Sequence, residues 1–314
     1  FCGCGCNLDL EIAGGRVVRA VPSGGRSPNG AAACVRGSYG YEFIHSPERL
    51  TQPLMKIEGQ FTAVSWEEAV GTVARRFGEM KSLYGAESLA VLGSSRCTNE
   101  ESYLLQKFTR AAIGTNNIDN GGRLYNAAGR VGLVEGLGLP AATNPIEDIE
   151  ESGVILLIGA DPESSAPLVS YAVKRAVRKR GAKLIVVNPW PISLARIAHL
   201  RLCPRSGTDE VLVGGMLKVI LDEDLWNREF VSERVKNLDE LKASLKPFTL
   251  AGVEKTTGVG KADIEGAARL LAKAGPVAVI FGTGVTQQVN GIECVKALVD
   301  LVLLTGSVGC RGGG

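Results

Sequence analysis

From about residue 150 onward the chain alternates short, wholly apolar runs with amphipathic stretches, and few folds accept that pattern. Val154-Ile155-Leu156-Leu157-Ile158-Gly159 reads as a strand with no polar face, as expected where helices cover both sides of a sheet. Leu184-Ile185-Val186-Val187 and Val277-Ala278-Val279-Ile280-Phe281 repeat it. Between these runs the spacing predicts helices from Leu168 to Lys179, with a basic face and a stop at Gly181, and over about 209–222 and about 261–273. Strands alternating with helices predict an α/β fold with a doubly wound, Rossmann-like parallel sheet.

The first 150 residues follow other periods. Leu8-Asp9-Leu10-Glu11-Ile12 alternates, Ala13-Gly14-Gly15 turns, and Arg16 to Val21 returns, which predicts a hairpin. Pro22 to Gly30 reads as a loop. Ser65-Trp66-Glu67-Glu68 is a capping box opening a helix to about Leu83, where Tyr84-Gly85 stops it. Leu89 to Gly93 is expected as a short buried strand, and Asn99 to Ile113 as a helix. A chain of 314 residues exceeds one ordinary core. The expected division is a small β-rich module over 1–57, a first, incomplete α/β domain over 58–122 and a second over 123–314.

A net charge of +2 gives no reason to expect nucleic acid or a membrane surface, and no apolar stretch approaches the roughly 18 residues of a spanning helix. No signal peptide is read, which predicts a cytoplasmic protein. The chain begins at Phe1, so an upstream segment is expected to be missing.

Four of the eight cysteines, Cys2, Cys4, Cys6 and Cys34, fall in the first forty residues. Clustered thiols in a chain of this size point to metal rather than to a disulfide framework. A [4Fe–4S] cube takes four thiolates and tolerates one that is distant in sequence. Zinc suits four thiolates too, and spacing alone leaves open zinc or thiols that bind nothing. Cys97, Cys203, Cys294 and Cys310 are expected as small buried hydrophobes. The two histidines, His45 and His199, read as structural.

Three loops end apolar runs: Gly159-Ala160-Asp161-Pro162-Glu163-Ser164, Asn188-Pro189-Trp190-Pro191 and Gly282-Thr283-Gly284-Val285-Thr286-Gln287. The carboxyl edge of a parallel sheet is where loop amides and helix N-termini bind nucleotides. Each loop alone could be an ordinary connection; the three together predict a nucleotide-like ligand. No Gly-x-Gly-x-x-Gly opens a helix after a strand, which disfavours a standard NAD site.

Phe1-Cys2-Gly3-Cys4-Gly5-Cys6, Cys34-Val35-Arg36-Gly37-Ser38-Tyr39-Gly40 and His45-Ser46-Pro47-Glu48-Arg49-Leu50 resemble the start of molybdopterin oxidoreductases. Ser94-Ser95-Arg96-Cys97-Thr98-Asn99-Glu100-Glu101, Gln106-Lys107-Phe108-x-Arg110 and Gly114-Thr115-Asn116-Asn117 are similar to formate dehydrogenase catalytic subunits. Gly282 to Gln287 and Leu304 to Gly309 extend the resemblance over the whole chain. It implies that Cys2, Cys4, Cys6 and Cys34 bind a [4Fe–4S] cluster and that Arg36 bridges cluster and pterin in place of the usual Lys. It further implies guanine-dinucleotide contacts at Asp161, Glu163, Ser164, Asn188, Gly282, Gly284 and Gln287.

The departures matter as much. Where the family has Asp-x-Cys-Ala-Arg-x-Cys/Sec-His, this chain has Asp119-Asn120-Gly121-Gly122-Arg123-Leu124-Tyr125-Asn126. Tyr125 stands at the molybdenum-ligand position and Asn126 at that of the histidine assisting proton transfer. Phenols are mostly protonated at neutral pH, unlike selenolates or low-pKa thiolates, and an amide carries no proton in acid–base chemistry. The family's first cysteine is expected three positions ahead of Cys2, with Cys4 its substitute or a spare thiol. The chain stops at Gly312-Gly313-Gly314, before the family's catalytic Arg segment, second pterin-binding half and C-terminal barrel. These readings predict an iron–sulfur electron-transfer or scaffold subunit without molybdopterin guanine dinucleotide, working with flavin and iron–sulfur partners in a hetero-oligomer. Two alternatives stand beside it: a molybdopterin oxidoreductase still active on formate or another substrate, and a structural module holding zinc or no metal.

Overall fold

Gly14 and Gly15 turn the amino end back on itself, both with positive φ (55° and 74°), so that β1 (Leu8–Ala13) lies beside β2 (Arg16–Pro22). The computed structural model describes residues 1–25 and 27–314; Arg26, within the expected Pro22–Gly30 loop, lies outside the described residues. Contacts divide the chain into two units. One comprises Phe1, Leu10–Val21 and Val35–Leu124; the other comprises Cys2–Asp9, Pro22–Cys34 and Tyr125–Gly314. The division at 124/125 falls close to the 122/123 boundary read from the sequence, whereas 57/58 falls inside the first unit.

In the first unit a short helix, α1 (Val35–Tyr39), precedes an antiparallel pair, β3 (Leu54–Ile57) and β4 (Gln60–Ala63). His45 is structural, as expected: its Nε2 accepts the Val17 amide at 2.8 Å, and Tyr41 Oη donates to the Val18 carbonyl at 2.8 Å, so both side chains tie down β2. α2 (Trp66–Tyr84) starts where Ser65 Oγ accepts the Glu68 amide at 3.1 Å. The full reciprocal box forms one helix later. There Thr98 Oγ1 accepts from Glu101, and the Glu101 carboxylate takes the Thr98 amide, opening α3 (Asn99–Lys107). α3 passes into a π-helical turn over Phe108–Ile113, which Gly114 stops with φ 88°. β5 (Val91–Gly93) and β6 (Ile118–Asn120) form a two-stranded parallel sheet. The strand expected as buried is not. Leu92 is 82% exposed, because β5 has one paired neighbour and the face carrying Leu92 is uncovered among the described residues.

The second unit delivers the doubly wound sheet. β7 (Val154–Ile158) follows α4 (Gly122–Leu137), most of which belongs here. α5 (Pro162–Ser165) and α6 (Pro167–Arg180) lead to β8 (Lys183–Val187) and β9 (Leu200–Leu202). α7 (Asp209–Asp222), α8 (Arg228–Arg234), α9 (Leu238–Ser244), α10 (Leu250–Thr257) and α11 (Lys261–Lys273) come before β10 (Val277–Phe281), α12 (Thr283–Thr286) and α13 (Gly291–Leu304). All four strands are parallel, in the order β10-β7-β8-β9. Alternate residues of β7 enter opposite cores. Val154, Leu156 and Ile158 pack with α7, α11 and α13, while Ile155 and Leu157 pack with Val173 and Ala176 of α6. Every β7 side chain is fully buried, each contributing about 1.5–3 kcal/mol. α4 lies against α13 through small residues: a Cβ on Gly132 would come within 2.7 Å of Val295, and one on Gly136 within 2.6 Å of Val299. No described helix is long and apolar enough to cross a membrane.

Candidate functional site

The strands of a parallel sheet end together, so the loops after β7, β8, β9 and β10 share one edge of the second unit. Gly159, Gly282 and Gly284 weld two of them. The Gly284 amide donates to the Gly159 carbonyl at 2.9 Å, and a Cβ on Gly282 or Gly284 would stand 2.8 or 2.7 Å from that same oxygen. Their missing side chains are therefore accounted for by backbone packing. Asn188 is also engaged within the protein. Its Nδ2 donates to the Ala160 carbonyl at 3.3 Å and its Oδ1 accepts the Trp190 amide at 2.9 Å, fastening the β8 loop to the β7 loop. Gln287 is exposed. Glu163 forms an ion pair with Lys174. That bond, followed by a hydrogen bond from Ser193, holds its carboxyl below the usual range.

Two atoms at this edge lack partners. Asp161 Oδ2 accepts from Ser164 Oγ at 2.7 Å, but its Oδ1 is buried with none; Gln288 Oε1 is buried likewise. Such groups cost free energy unless something polar meets them. The sequence reading passed over Gln288 and the loop after β9, which delivers Asp209 to the first turn of α7. Asp209 is 3% exposed and accepts from Gln288 Nε2 at 2.9 Å; burial raises its pKa despite that bond. Arg205-Ser206-Gly207-Thr208 before Asp209 was the available signal, a turn followed by acidic residues at a helix start.

Tyr125 and Asn126 lie in the first turns of α4, next to the β10 loop. Thr286 Oγ1 donates to the Tyr125 carbonyl at 2.7 Å, and Asn126 Oδ1 and Thr286 Cγ2 both flank Gly129. Tyr125 is 39% exposed.

All four N-terminal cysteines fall in the second unit. Cys6 has its thiol pKa raised, first by burial and then by the charges of Cys2 and Cys34. Cys4 is 6% exposed; burial is the main cause that lifts it to about 11, ahead of its hydrogen bond with Cys2, while the Leu168 and Val169 amides oppose the rise. Among the described residues no three His, Cys, Asp or Glu side chains close on one point as the donors of a single ion do. A cube spreads its thiolates over separate irons, and a zinc ion draws four sulfurs to about 2.3 Å from one centre. The scattered cysteines correct an expectation. Cys294 is buried, pushed up to about 12 by burial and by Asp209 and Glu210, but Cys97 and Cys203 are exposed and Cys310 half-buried, because they lie in loops and not on core faces.

Residues 49–314 match the family described as Molybdopterin oxidoreductase, and residues 1–46 match the Molybdopterin oxidoreductase Fe4S4 domain. The chain belongs to the molybdopterin oxidoreductase family. Among relatives of this family, it is 37% identical over 314 residues to the F420-dependent formate dehydrogenase subunit alpha of Methanocaldococcus jannaschii, covering all of this chain and 46% of that protein. It is 36% identical over 316 residues to formate dehydrogenase H of Escherichia coli, covering 98% of this chain and 44% of that one. The acetylene hydratase of Pelobacter acetylenicus shares the fold, with a TM-score of 0.80 at 24% identity over 97% of this chain and 42% of that chain. The chain thus spans less than half the length of these molybdopterin oxidoreductase relatives.

Proposed function

We propose that this chain is an iron–sulfur electron-transfer or scaffold subunit of a multi-subunit redox complex, derived from a formate dehydrogenase and lacking its molybdenum ligand. One sequence feature supports the reading: by the resemblance to the family's motif, Tyr125 and Asn126 stand where sulfur or selenium and a histidine are expected. The match of residues 1–46, which hold Cys2, Cys4, Cys6 and Cys34, to the Fe4S4 domain supports a cluster there. Such a cluster would supply one-electron transfer, with Cys2, Cys4, Cys6 and Cys34 as the residues that would hold it. All eight cysteines are free thiols, which suits a reducing compartment such as the cytoplasm. Flavin and iron–sulfur partners would exchange electrons with it in a hetero-oligomer. Metal analysis of the anaerobically purified protein tests this: about four irons and no molybdenum are expected. Stoichiometric molybdenum with formate-dependent dye reduction would overturn it.

The orphaned Asp161 Oδ1 and Gln288 Oε1 favour a second reading, in which the old cleft still takes a polar nucleotide or a pterin dinucleotide. Asp161, Glu163, Ser164, Asn188, Gly282, Gly284 and Gln287 would then line it. A fluorescent oxidised pterin, or a nucleotide released by denaturation, is the expected sign. A clean extract would remove this reading.

A further inference from the structure

β10 is an outer strand of the four-stranded sheet, and among the described residues no further strand closes its free edge. An open edge offers a row of amides and carbonyls to any extended chain that reaches it. One residue already does. The Gly314 amide donates to the Val277 carbonyl at 2.9 Å, and the Val279 amide donates to the Gly314 carbonyl at 2.8 Å. These are the two bonds that set one residue into a parallel ladder, here opposite Ala278. Strand alternation turns Val277, Val279 and Phe281 to this edge and Ala278 and Ile280 to β7, so the Val279 carbonyl and the Phe281 amide are the next rungs. Past Gly314 the edge runs along a groove of about 400 Å³. Leu133 of α4 with Val295 and Leu298 of α13 line it from the larger core, and Ile149 and Ile280 from the smaller. A polar atom waits at its entrance. Asn144 Nδ2 donates to Asp148 Oδ2 at 2.9 Å and to the Cys310 carbonyl at 3.0 Å, while Asn144 Oδ1 is buried without a partner. A Cβ on Gly314 would stand 2.4 Å from that oxygen, so a backbone amide arriving there would be the donor it lacks.

We propose that this groove is the seat of an extended strand, formed by polypeptide running on from Gly314 and paired in parallel with β10. The two Gly314 bonds fix its direction and register. The first residue beyond Gly314 lies opposite Val279 and faces Leu133 and Val295; the second lies opposite Ile280 and faces Ile149. An apolar side chain is expected at the first of these positions, where the lining is that of the larger core. Chain to fill the groove exists in the formate dehydrogenase relatives, in which more than half the length lies outside the matched stretch. The inference is independent of any cluster or nucleotide.

Residue-resolved amide hydrogen exchange in the full-length polypeptide tests this, with the wild type beside Leu137→Asp and Gly314→Ala. Leu137 of α4 also lines the groove, so Leu137→Asp places a charge in it. Gly314→Ala would drive a Cβ to 2.1 Å from Thr143 Oγ1 at the point of entry. The Ile280 amide, turned to β7, reports in every sample that the sheet is intact. In the wild type the Phe281 amide should exchange at least about tenfold more slowly than in either variant, with Ile280 unchanged. A Phe281 amide that exchanges equally fast in all three proteins overturns the inference. Protection of Phe281 that grows with protein concentration would give the groove to a second copy and overturn it as well. If one variant also loses protection at Ile280, the other decides. An unprotected Phe281 amide in the wild type sinks the strand whatever the variants do.

Discussion

The two units are written in similar patterns and end in opposite states. β7 carries five apolar residues, all fully buried; β5 carries Leu92, which is 82% exposed. α11 buries Ile264, Ala267, Ala268 and Leu271, whereas α2, an amphipathic helix of 19 residues, buries none, and Trp66, Val70 and Val73 along it are exposed. The difference is one of neighbours. β7 has a strand on each side and helices over both faces, while β5 pairs with β6 alone. An apolar period therefore encodes which face a segment offers, and burial follows only where another element accepts it.

The sharpest test of this contrast is a matched pair of truncations. Leu156→Ala in β7 removes a fully buried side chain shared with the larger core and should cost about 3–5 kcal/mol in denaturant unfolding. Leu92→Ala in β5 should cost less than about 0.5 kcal/mol, the ordinary scale of surface changes. Should the two costs converge, the face carrying Leu92 is covered in the working protein and the contrast breaks.

A smaller effect is expected where backbone meets backbone. Gly284→Ala would drive a Cβ to 2.7 Å from the Gly159 carbonyl oxygen, which cannot retreat without loosening the amide bond between the two loops. About 1–3 kcal/mol of destabilisation should follow. If a nucleotide binds there, its affinity, followed by release of a bound guanine nucleotide, should fall as well. An unperturbed melt would mean that the loop weld is softer than its packing implies.

Asp300 of α13 distinguishes the units by pH. Burial lifts its carboxyl to about 6, with Lys296 opposing. Its folded form keeps a proton that the unfolded chain has released, so stability falls as pH rises from about 4 to about 6 and is level above. Asp300→Asn should flatten that slope, gaining about 1–2 kcal/mol at pH 7 after discounting for partial exposure and almost nothing at pH 4. Glu79 in the first unit behaves in the opposite sense. Bonds from Arg75 and then Arg76 hold it below its usual range, so its contribution is present at neutral pH and lost on acidification, and Glu79→Gln should remove that acid loss while leaving the Asp300 fall in place.

Much of this was legible in the sequence for a physical reason. The helices over 209–222 and 261–273 and the strands at 154, 184 and 277 announce themselves because each buries the residues its period selects. The family was legible too, in its cysteine, arginine and glycine motifs. What stayed hidden depends on tertiary neighbours. Nothing local tells that Leu92 lacks cover, that Cys4 is buried while Cys2 and Cys6 are half-buried, or that Gln288 and not Gln287 turns towards Asp209. The Gly282 and Gly284 pair reads as a ligand loop in sequence and as a loop-to-loop joint in space, and both descriptions use the same missing Cβ.

The smallest effect has the opposite sign. Gly71 and Gly78 lie inside α2, where an added Cβ would meet nothing within 4 Å and the backbone is ordinary helix. Glycine in such a position wastes conformational entropy, so Gly71→Ala should stabilise the first unit by about 0.5–1 kcal/mol. In the second unit the analogous helical change, Gly132→Ala in α4, would press a methyl to 2.7 Å from Val295 and should destabilise instead. Amide hydrogen exchange along α2 and α13 reads both changes separately. Slower exchange in α2 for the first and faster exchange in α13 for the second is the expected pair. If Gly71→Ala instead speeds exchange in α2, that helix face is already occupied, and its open flank would have to be redrawn as a packed one.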